Sequence, residues 1–206
     1  MALAGIAPKA ESSLDQVGIG RQVSGTNRRA VFLDRDGVLN RAVVREGRPY
    51  PPANLDELQI LPGVVDGMRQ LRAAGFVLIV VSNQPDVARG VTPRESVEAI
   101  NTYLAERLPI DRFIMCYHDS SDNCDCRKPR PGMLLTGARE FGVDLGASFM
   151  VGDRWRDVAA GANAGCKTFF IDYGYDEKQP LSSNFRVSSL QEAALIIIAE
   201  IDNEKS

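Results

Sequence analysis

The chain has 206 residues, 44% of them hydrophobic, and a net charge of −3. No apolar run approaches the roughly 18 residues of a membrane span, and no basic block suggests a nucleic-acid partner. These totals suit one sizeable α/β domain or two very small ones; a small-molecule partner and a monomer are expected.

Residues 1–27 are small, polar and aperiodic, and read as a loose tail before a single domain over 28–206. The start has no basic n-region and no long apolar core. No secretory signal is read, and a cytoplasmic location with reduced thiols is expected. "RAVFLD" (29–34) is a short strand ending at Asp34. The stretch 37–62 holds Gly47, Pro49, Pro51 and Pro52, too polar for a core helix, and is expected as a hairpin flap. Residues 63–75 repeat apolar positions at helical spacing and end at Gly75. "FVLIVVSNQ" (76–84) is a continuous apolar run turning polar at Ser82, the pattern of a buried parallel strand.

A helix is expected over 92–108, with Thr92 as cap, Pro93 at the first helical position and Glu95 closing a capping box. Strands follow at 112–117, 148–153 and 167–172, and helices at 131–142, from Trp155 to Gly165, and from Ser189 to about Ile201. Alternating strands and helices predict a Rossmann-like, three-layer α/β/α fold with a mainly parallel central sheet. In such sheets the ligand site lies beyond the carboxyl ends of the strands.

The polar residues that follow the strands are Asp34 and Asp36, Ser82 and Asn83, Lys128, then Asp153 with Asp157 one turn on. Clustered aspartates repel one another unless a cation intervenes, and oxygen-only ligands suit Mg²⁺. Ser82 and Lys128 would hold a phosphoryl group. Each residue alone has an ordinary explanation: a turn cap, a turn hydroxyl, a solvated lysine. A calcium loop is excluded, because its glycine falls at position six and here it falls at four. The ordered set, each member after a strand, points to phosphoryl transfer.

"CYHDSSDNCDCRK" (116–128) gathers three of the four cysteines and the one histidine of the chain. Cys116, His118, Cys124 and Cys126 suit tetrahedral Zn²⁺. A strained Cys124–Cys126 disulfide, or buried free thiols beside an exposed histidine, are the alternatives. Four protein ligands leave no open position, so such a zinc would be structural. It would hold the loop that aims Lys128, leaving Arg127 to reach a more distant substrate group.

"VFLDRDGVLN", "VVSNQ", "CRKP" and "VGDRWRD" resemble the four motifs of the haloacid dehalogenase (HAD) superfamily of phosphatases, over residues 28–175. The resemblance is to its small-capped branch, which acts on heptose bisphosphate or histidinol phosphate. It implies a HAD-like fold with a small flap and a zinc loop in place of a large cap. It also implies roles. Asp34 would be the nucleophile and Asp36 the general acid and base. Ser82, Asn83, Arg127 and Lys128 would bind substrate. Asp34, Asp153 and the Asp36 backbone carbonyl would hold Mg²⁺, with Asp157 in support. The implied activity is removal of the 7-phosphate of D-glycero-D-manno-heptose 1,7-bisphosphate, with histidinol phosphate or another small phosphate monoester as alternative. An inactive zinc-containing binding module is the non-enzymatic alternative.

Overall fold

The computed structural model describes residues 28–203, so the expected tail over 1–27 lies outside the described residues. Eight strands run β1 (Ala30–Leu33), β2 (Val43–Arg45), β3 (Arg48–Tyr50), β4 (Val77–Asn83), β5 (Arg112–Cys116), β6 (Phe149–Gly152), β7 (Lys167–Ile171) and β8 (Phe185–Val187). The helices are α1 (Val64–Ala73), α2 (Pro85–Ala88), α3 (Arg94–Ala105), α4 (Gly132–Phe141), α5 (Trp155–Ala164) and α6 (Leu190–Asn203). Six strands form one sheet in the order β5-β4-β1-β6-β7-β8, and every neighbouring pair is parallel.

The uninterrupted apolar runs are explained by burial on both faces. Side chains alternate along a strand. Val31, Leu33, Leu78, Val80, Phe149 and Val151 therefore face one core, shared with α1, α3 and α6. Ala30, Phe32, Ile79, Val81 and Met150 face the other, beneath α4 and α5. No helix among the described residues is long and apolar enough to cross a membrane.

The chain leaves β1 toward β4 and β5, then crosses back to β6 on the other side of β1. That reversal opens a crevice at the carboxyl end of β1, where ligands bind in open α/β sheets. The register aligns the strand ends: Leu33 lies beside Val80 and Val151, and Asn83 beside Cys116.

The expected flap is present as the antiparallel pair β2–β3. The start of α3 differs from expectation. Pro93 is the cap residue, with extended φ −60° and ψ 138°, and no side chain caps the helix. Thr92 therefore lies one residue outside the cap, and the helix begins at Arg94, one residue later than expected. Ser189 and Glu192 have the spacing of a capping box at the start of α6, but the box is only half formed. Ser189 Oγ accepts from the Glu192 N–H (3.2 Å), but the Glu192 carboxylate turns to Ser188 N (2.8 Å) and Oγ (2.6 Å). The short elements α2 and β8 have no counterpart in the sequence expectations.

Candidate active site

The first motif residue after β1 sits at the floor of the crevice. The Asp34 N–H donates to the Val151 carbonyl (3.0 Å), extending the β1–β6 ladder by one residue and fixing the side chain's direction. Gly37 then turns the chain with φ +89°. A Cβ there would lie 1.9 Å from Asp153 Oδ2, so only glycine lets the two loops approach. Tyr173 braces the same turn, its hydroxyl donating to the Gly37 carbonyl (3.0 Å).

Carboxylate oxygens of Asp34, Asp153 and Asp157 all lie within 4.8 Å of one another. Asp157, expected only as a supporting acid, is thus a full member of the acidic cluster, and at 1% exposure it is the most deeply buried of the three. The sharp approach of α5 to β6 brings it there. A Cβ on Gly152 would lie 2.0 Å from the Asp157 Cβ.

Lys128 is buried among these acids. Its Nζ donates to Asp34 Oδ1 (2.9 Å), Asp157 Oδ1 (2.6 Å) and the Val81 carbonyl (2.7 Å), using all three ammonium protons. Burial alone would pull its pKa down, but Asp157 and Asp34 reverse this and hold it above the ordinary value. Asp34 is pushed up to about 6 by burial, opposed by Lys128 and reinforced by Asp157 and Asp36. Asp153 is raised well above the usual carboxylate range by burial, then by Asp34 and Asp157. Both Asp153 oxygens are buried and have no hydrogen-bond partner among the described residues. Such a group is costly unless a cation sits beside it. The donor set, all carboxylate oxygen around a polar crevice, fits a hard divalent cation such as Mg²⁺.

Asp36 stands apart from the cluster, and its carboxylate is gripped by four donor contacts. Arg35 Nε and NH2 reach Oδ1 (3.2 Å) and Oδ2 (3.1 Å), Asn40 Nδ2 reaches Oδ1 (3.0 Å), and Gln84 Nε2 reaches Oδ2 (2.7 Å). Gln84 also donates to Ser82 Oγ (3.0 Å), tying the end of β4 to the first motif loop.

Asn83, at the end of β4, lines the cavity and also bonds the Lys128 backbone. Its amide oxygen accepts from the Lys128 N–H (3.1 Å) and its amide nitrogen donates to the Lys128 carbonyl (3.0 Å). It latches the backbone of the residue whose ammonium enters the crevice.

The cysteine loop stands next to that latch. Cys126 Sγ lies 3.3 Å from Cys116 Sγ, 3.4 Å from Cys124 Sγ and 3.3 Å from His118 Nδ1. Cys116 Sγ is 3.7 Å from both His118 Nδ1 and Cys124 Sγ. These separations are far too long for a disulfide at about 2.05 Å. They approach the edges, about 3.8 Å, of a tetrahedron built on 2.3 Å bonds to sulfur. Burial and the neighbouring thiols push Cys126 up to about 12. Arg130 staples the loop from outside, donating to the carbonyls of Asn123 (2.6 Å) and Cys124 (2.9 Å).

A cavity of about 270 Å³ opens above Asp34, and its wall is rich in arginine. Two of these residues are neutralised: Arg154 pairs with Glu177, and Arg89 pairs with Asp86 and Asp119. Arg48, Arg127 and Arg156 line the same cavity without an acidic partner among the described residues. Burial, followed by the charges of Arg154 and Arg127, draws the Arg156 pKa below its ordinary value. Arg48 and Arg156 escape a motif-based reading. The doubled arginine of "DRWRD" and the arginine on the flap are their only sequence signals.

The profile of the haloacid dehalogenase-like hydrolases matches residues 41–165. The chain belongs to that family. This HAD-like hydrolase is 36% identical over 151 residues to the D-glycero-beta-D-manno-heptose-1,7-bisphosphate 7-phosphatase of Pasteurella multocida, covering 68% of this chain and 79% of the relative. It is 38% identical over 152 residues to the protein of that name from Escherichia coli K12, covering 67% and 76%. Among solved structures, the D,D-heptose 1,7-bisphosphate phosphatase of B. bronchiseptica, complexed with magnesium and phosphate, superposes with a TM-score of 0.68 at 30% identity. That likeness covers 84% of this chain and 99% of the other.

Proposed function

We propose that this HAD-like hydrolase is a Mg²⁺-dependent phosphatase that removes the 7-phosphate of D-glycero-D-manno-heptose 1,7-bisphosphate through an aspartyl-phosphate on Asp34. The observation that carries the reading is the buried Asp34–Lys128–Asp157 arrangement, with Asp153 unpartnered beside it. The side chains of Asp34, Asp153 and Asp157, with the Asp36 backbone carbonyl, would hold Mg²⁺. The ion would supply charge stabilisation to the phosphoryl oxygens.

The residues divide the remaining work. A carboxylate oxygen of Asp34 attacks phosphorus and forms the new O–P bond. The bond to the sugar oxygen breaks, and Asp36 gives that oxygen a proton. Water then attacks phosphorus, Asp36 takes its proton, and the bond to Asp34 breaks to release phosphate. Ser82 would donate to a phosphoryl oxygen, and the Lys128 ammonium, bonded to Asp34, offsets the phosphoryl charge through both steps. Their placement before reaction is the main source of rate, because little reorganisation is then needed. Zn²⁺ bound by Cys116, His118, Cys124 and Cys126 would fix the loop that delivers Lys128.

The cavity wall supports a substrate charged at both ends. The acidic floor suits a cation and one phosphate, while Arg48, Arg127 and Arg156 offer unpaired charge for a second phosphate. The names of the relatives agree with a bisphosphate. Histidinol phosphate has one phosphate and would leave those arginines unused, although the short loop between His118 and Cys124 keeps it as the second reading. The expected setting is that of a cytoplasmic monomer acting on a diffusible sugar phosphate.

Steady-state rates with Mg²⁺ on the heptose bisphosphate anomers, histidinol phosphate and other sugar phosphates test the proposal. The expected result is the highest kcat/KM for a heptose bisphosphate, and a selective rise in its KM in Arg156→Ala. A preference for histidinol phosphate, or inertness of the folded protein toward all of them, would overturn it.

A further inference from the structure

Arg35 occupies an unusual position for a cation. It is fully buried and ranks first by volume among the fully buried side chains. Burying a guanidinium is costly unless its donors are matched, and here the matching is directional. Nε and NH2 form a two-point contact with the Asp36 carboxylate, at 3.2 Å to Oδ1 and 3.1 Å to Oδ2. NH1 points into the protein and donates to Asn101 Oδ1 (3.0 Å), on α3.

Asn101 is itself nearly buried, at 5% exposure. A guanidinium only donates, so the amide must turn its oxygen toward Arg35. Its nitrogen is then left buried with no hydrogen-bond partner. A buried asparagine half satisfied in this way weakens a core. Its one side-chain hydrogen bond goes to Arg35. A leucine there would remove the unmet amide nitrogen but would leave the buried Arg35 NH1 without its acceptor.

We infer that Asn101 and Arg35 form a positioning relay that sets the plane and direction of the Asp36 carboxyl toward the leaving-group oxygen. This rests on the reading of Asp36 as general acid. A planar guanidinium clamped at its far end by Asn101 fixes the carboxyl in two dimensions. Asn40 and Gln84 complete the grip from the motif loop and from the end of β4. Asn101 touches neither substrate nor metal ligand, and acts through Arg35. General acids work only when their proton lies within hydrogen-bond reach of the departing oxygen. A loosened Arg35 would spoil that alignment while leaving Asp34 and Lys128 in place.

The distinguishing readout is dependence on the leaving group. Phenyl phosphate needs a proton as its oxygen departs, whereas 2,4-dinitrophenyl phosphate leaves readily as an anion. The quantity to compare is kcat/KM, which reports the step in which the leaving group departs. In Asn101→Leu the ratio of kcat/KM for phenyl phosphate to that for 2,4-dinitrophenyl phosphate should fall about tenfold or more, part of the 10²–10⁴ that general acids contribute. Asn101→Asp, which restores an acceptor oxygen, should keep the wild-type ratio. Should the leucine variant not fold, Asn101→Ser withdraws the acceptor from reach and serves the same comparison. A merely structural asparagine would lower both substrates together and leave the ratio unchanged, and that result overturns the relay. Asp36→Asn separates the levels. If it shifts the ratio while Asn101→Leu and Asn101→Ser do not, the relay fails and the general-acid reading stands. If Asp36→Asn leaves the ratio unchanged, both fall.

Discussion

Lys128→Met removes the ammonium and keeps a side chain of similar length. Lys128 is 2% exposed, Asp34 6% and Asp157 1%. The substitution therefore leaves two carboxylates and the Val81 carbonyl facing an apolar tip in place of their donor. Removing one partner of a buried ion pair costs about 3–5 kcal/mol. For a chain of this size each kcal/mol lowers Tm by about 2–4 °C, so the metal-free variant should melt roughly 6–20 °C below wild type. Mg²⁺ should recover part of that loss by screening the same carboxylates. Activity should not recover with it, because the charge that Lys128 places on the phosphoryl oxygens is gone. A loss in kcat of about 10²–10³ is expected, the scale for one preorganised donor. Lys128→Arg should also be poor, since a planar fork does not fit a socket built for three converging acceptors. Differential scanning calorimetry with and without Mg²⁺, followed by steady-state assay at saturating metal, measures both quantities. A Lys128→Met protein that melts with wild type and turns over at the wild-type rate would refute the reasoning.

Three further outcomes follow from the same geometry. Asp34 sits at about 6 in the metal-free fold against 3.8 ordinarily, so the folded state holds its proton more tightly than the unfolded chain. Stability of the metal-free protein should fall as pH rises through about 4 to 6, and the Tm gain from Mg²⁺ should be larger near pH 7.5 than near pH 5; thermal melts at the two pH values check the sign. Gly37→Ala should abolish Mg²⁺ binding seen by calorimetry, because its Cβ would fall 1.9 Å from Asp153 Oδ2 at φ +89°. Stripping the cysteine loop with a chelator, or substituting Cys124→Ser, should lower kcat more than it raises KM, since the loop carries Lys128; metal analysis should show about one zinc lost per chain.

The layers of the fold were readable because a strand buried on both faces must be apolar at every position. Phe76–Val81 could satisfy no other element in an α/β chain of this length. The strand-end acids were readable for a related reason: parallel strands in register place the residues that follow them along one edge. The three-residue strand β8 lies at the sheet margin, too short for a periodic signal. Thr92 misled because the fixed φ of Pro93 suits either a first helical residue or an extended cap, and Pro93 took the extended ψ of 138°.

The site was legible in its floor and not in its supports. Asp34, Ser82, Lys128 and Asp153 announce themselves by following strands. Asn83, Gln84 and Arg35 sit one or two residues away, and their directions depend on loop dihedrals that spacing does not encode. Asn83 accordingly bonds the Lys128 backbone, a contact that its place after the strand does not announce. Asp157 entered the acidic cluster because Gly152 admits α5 so closely, a contact between residues five apart that no periodicity reveals. Cys116, His118, Cys124 and Cys126, by contrast, were legible from their gathering in one short stretch, and the structure brings all four together.

The central claim is that Asp34 forms the bond to phosphorus. Asp34→Asn keeps the size of the side chain and its neighbours while removing the attacking charge. Its kcat with Mg²⁺, in a preparation shown to be folded and free of host phosphatase, is the direct measurement. A fall of about 10³-fold or more, the scale for losing a catalytic nucleophile, is the predicted result. Turnover within about tenfold of wild type, a barrier change of only about 1.4 kcal/mol, would contradict the account.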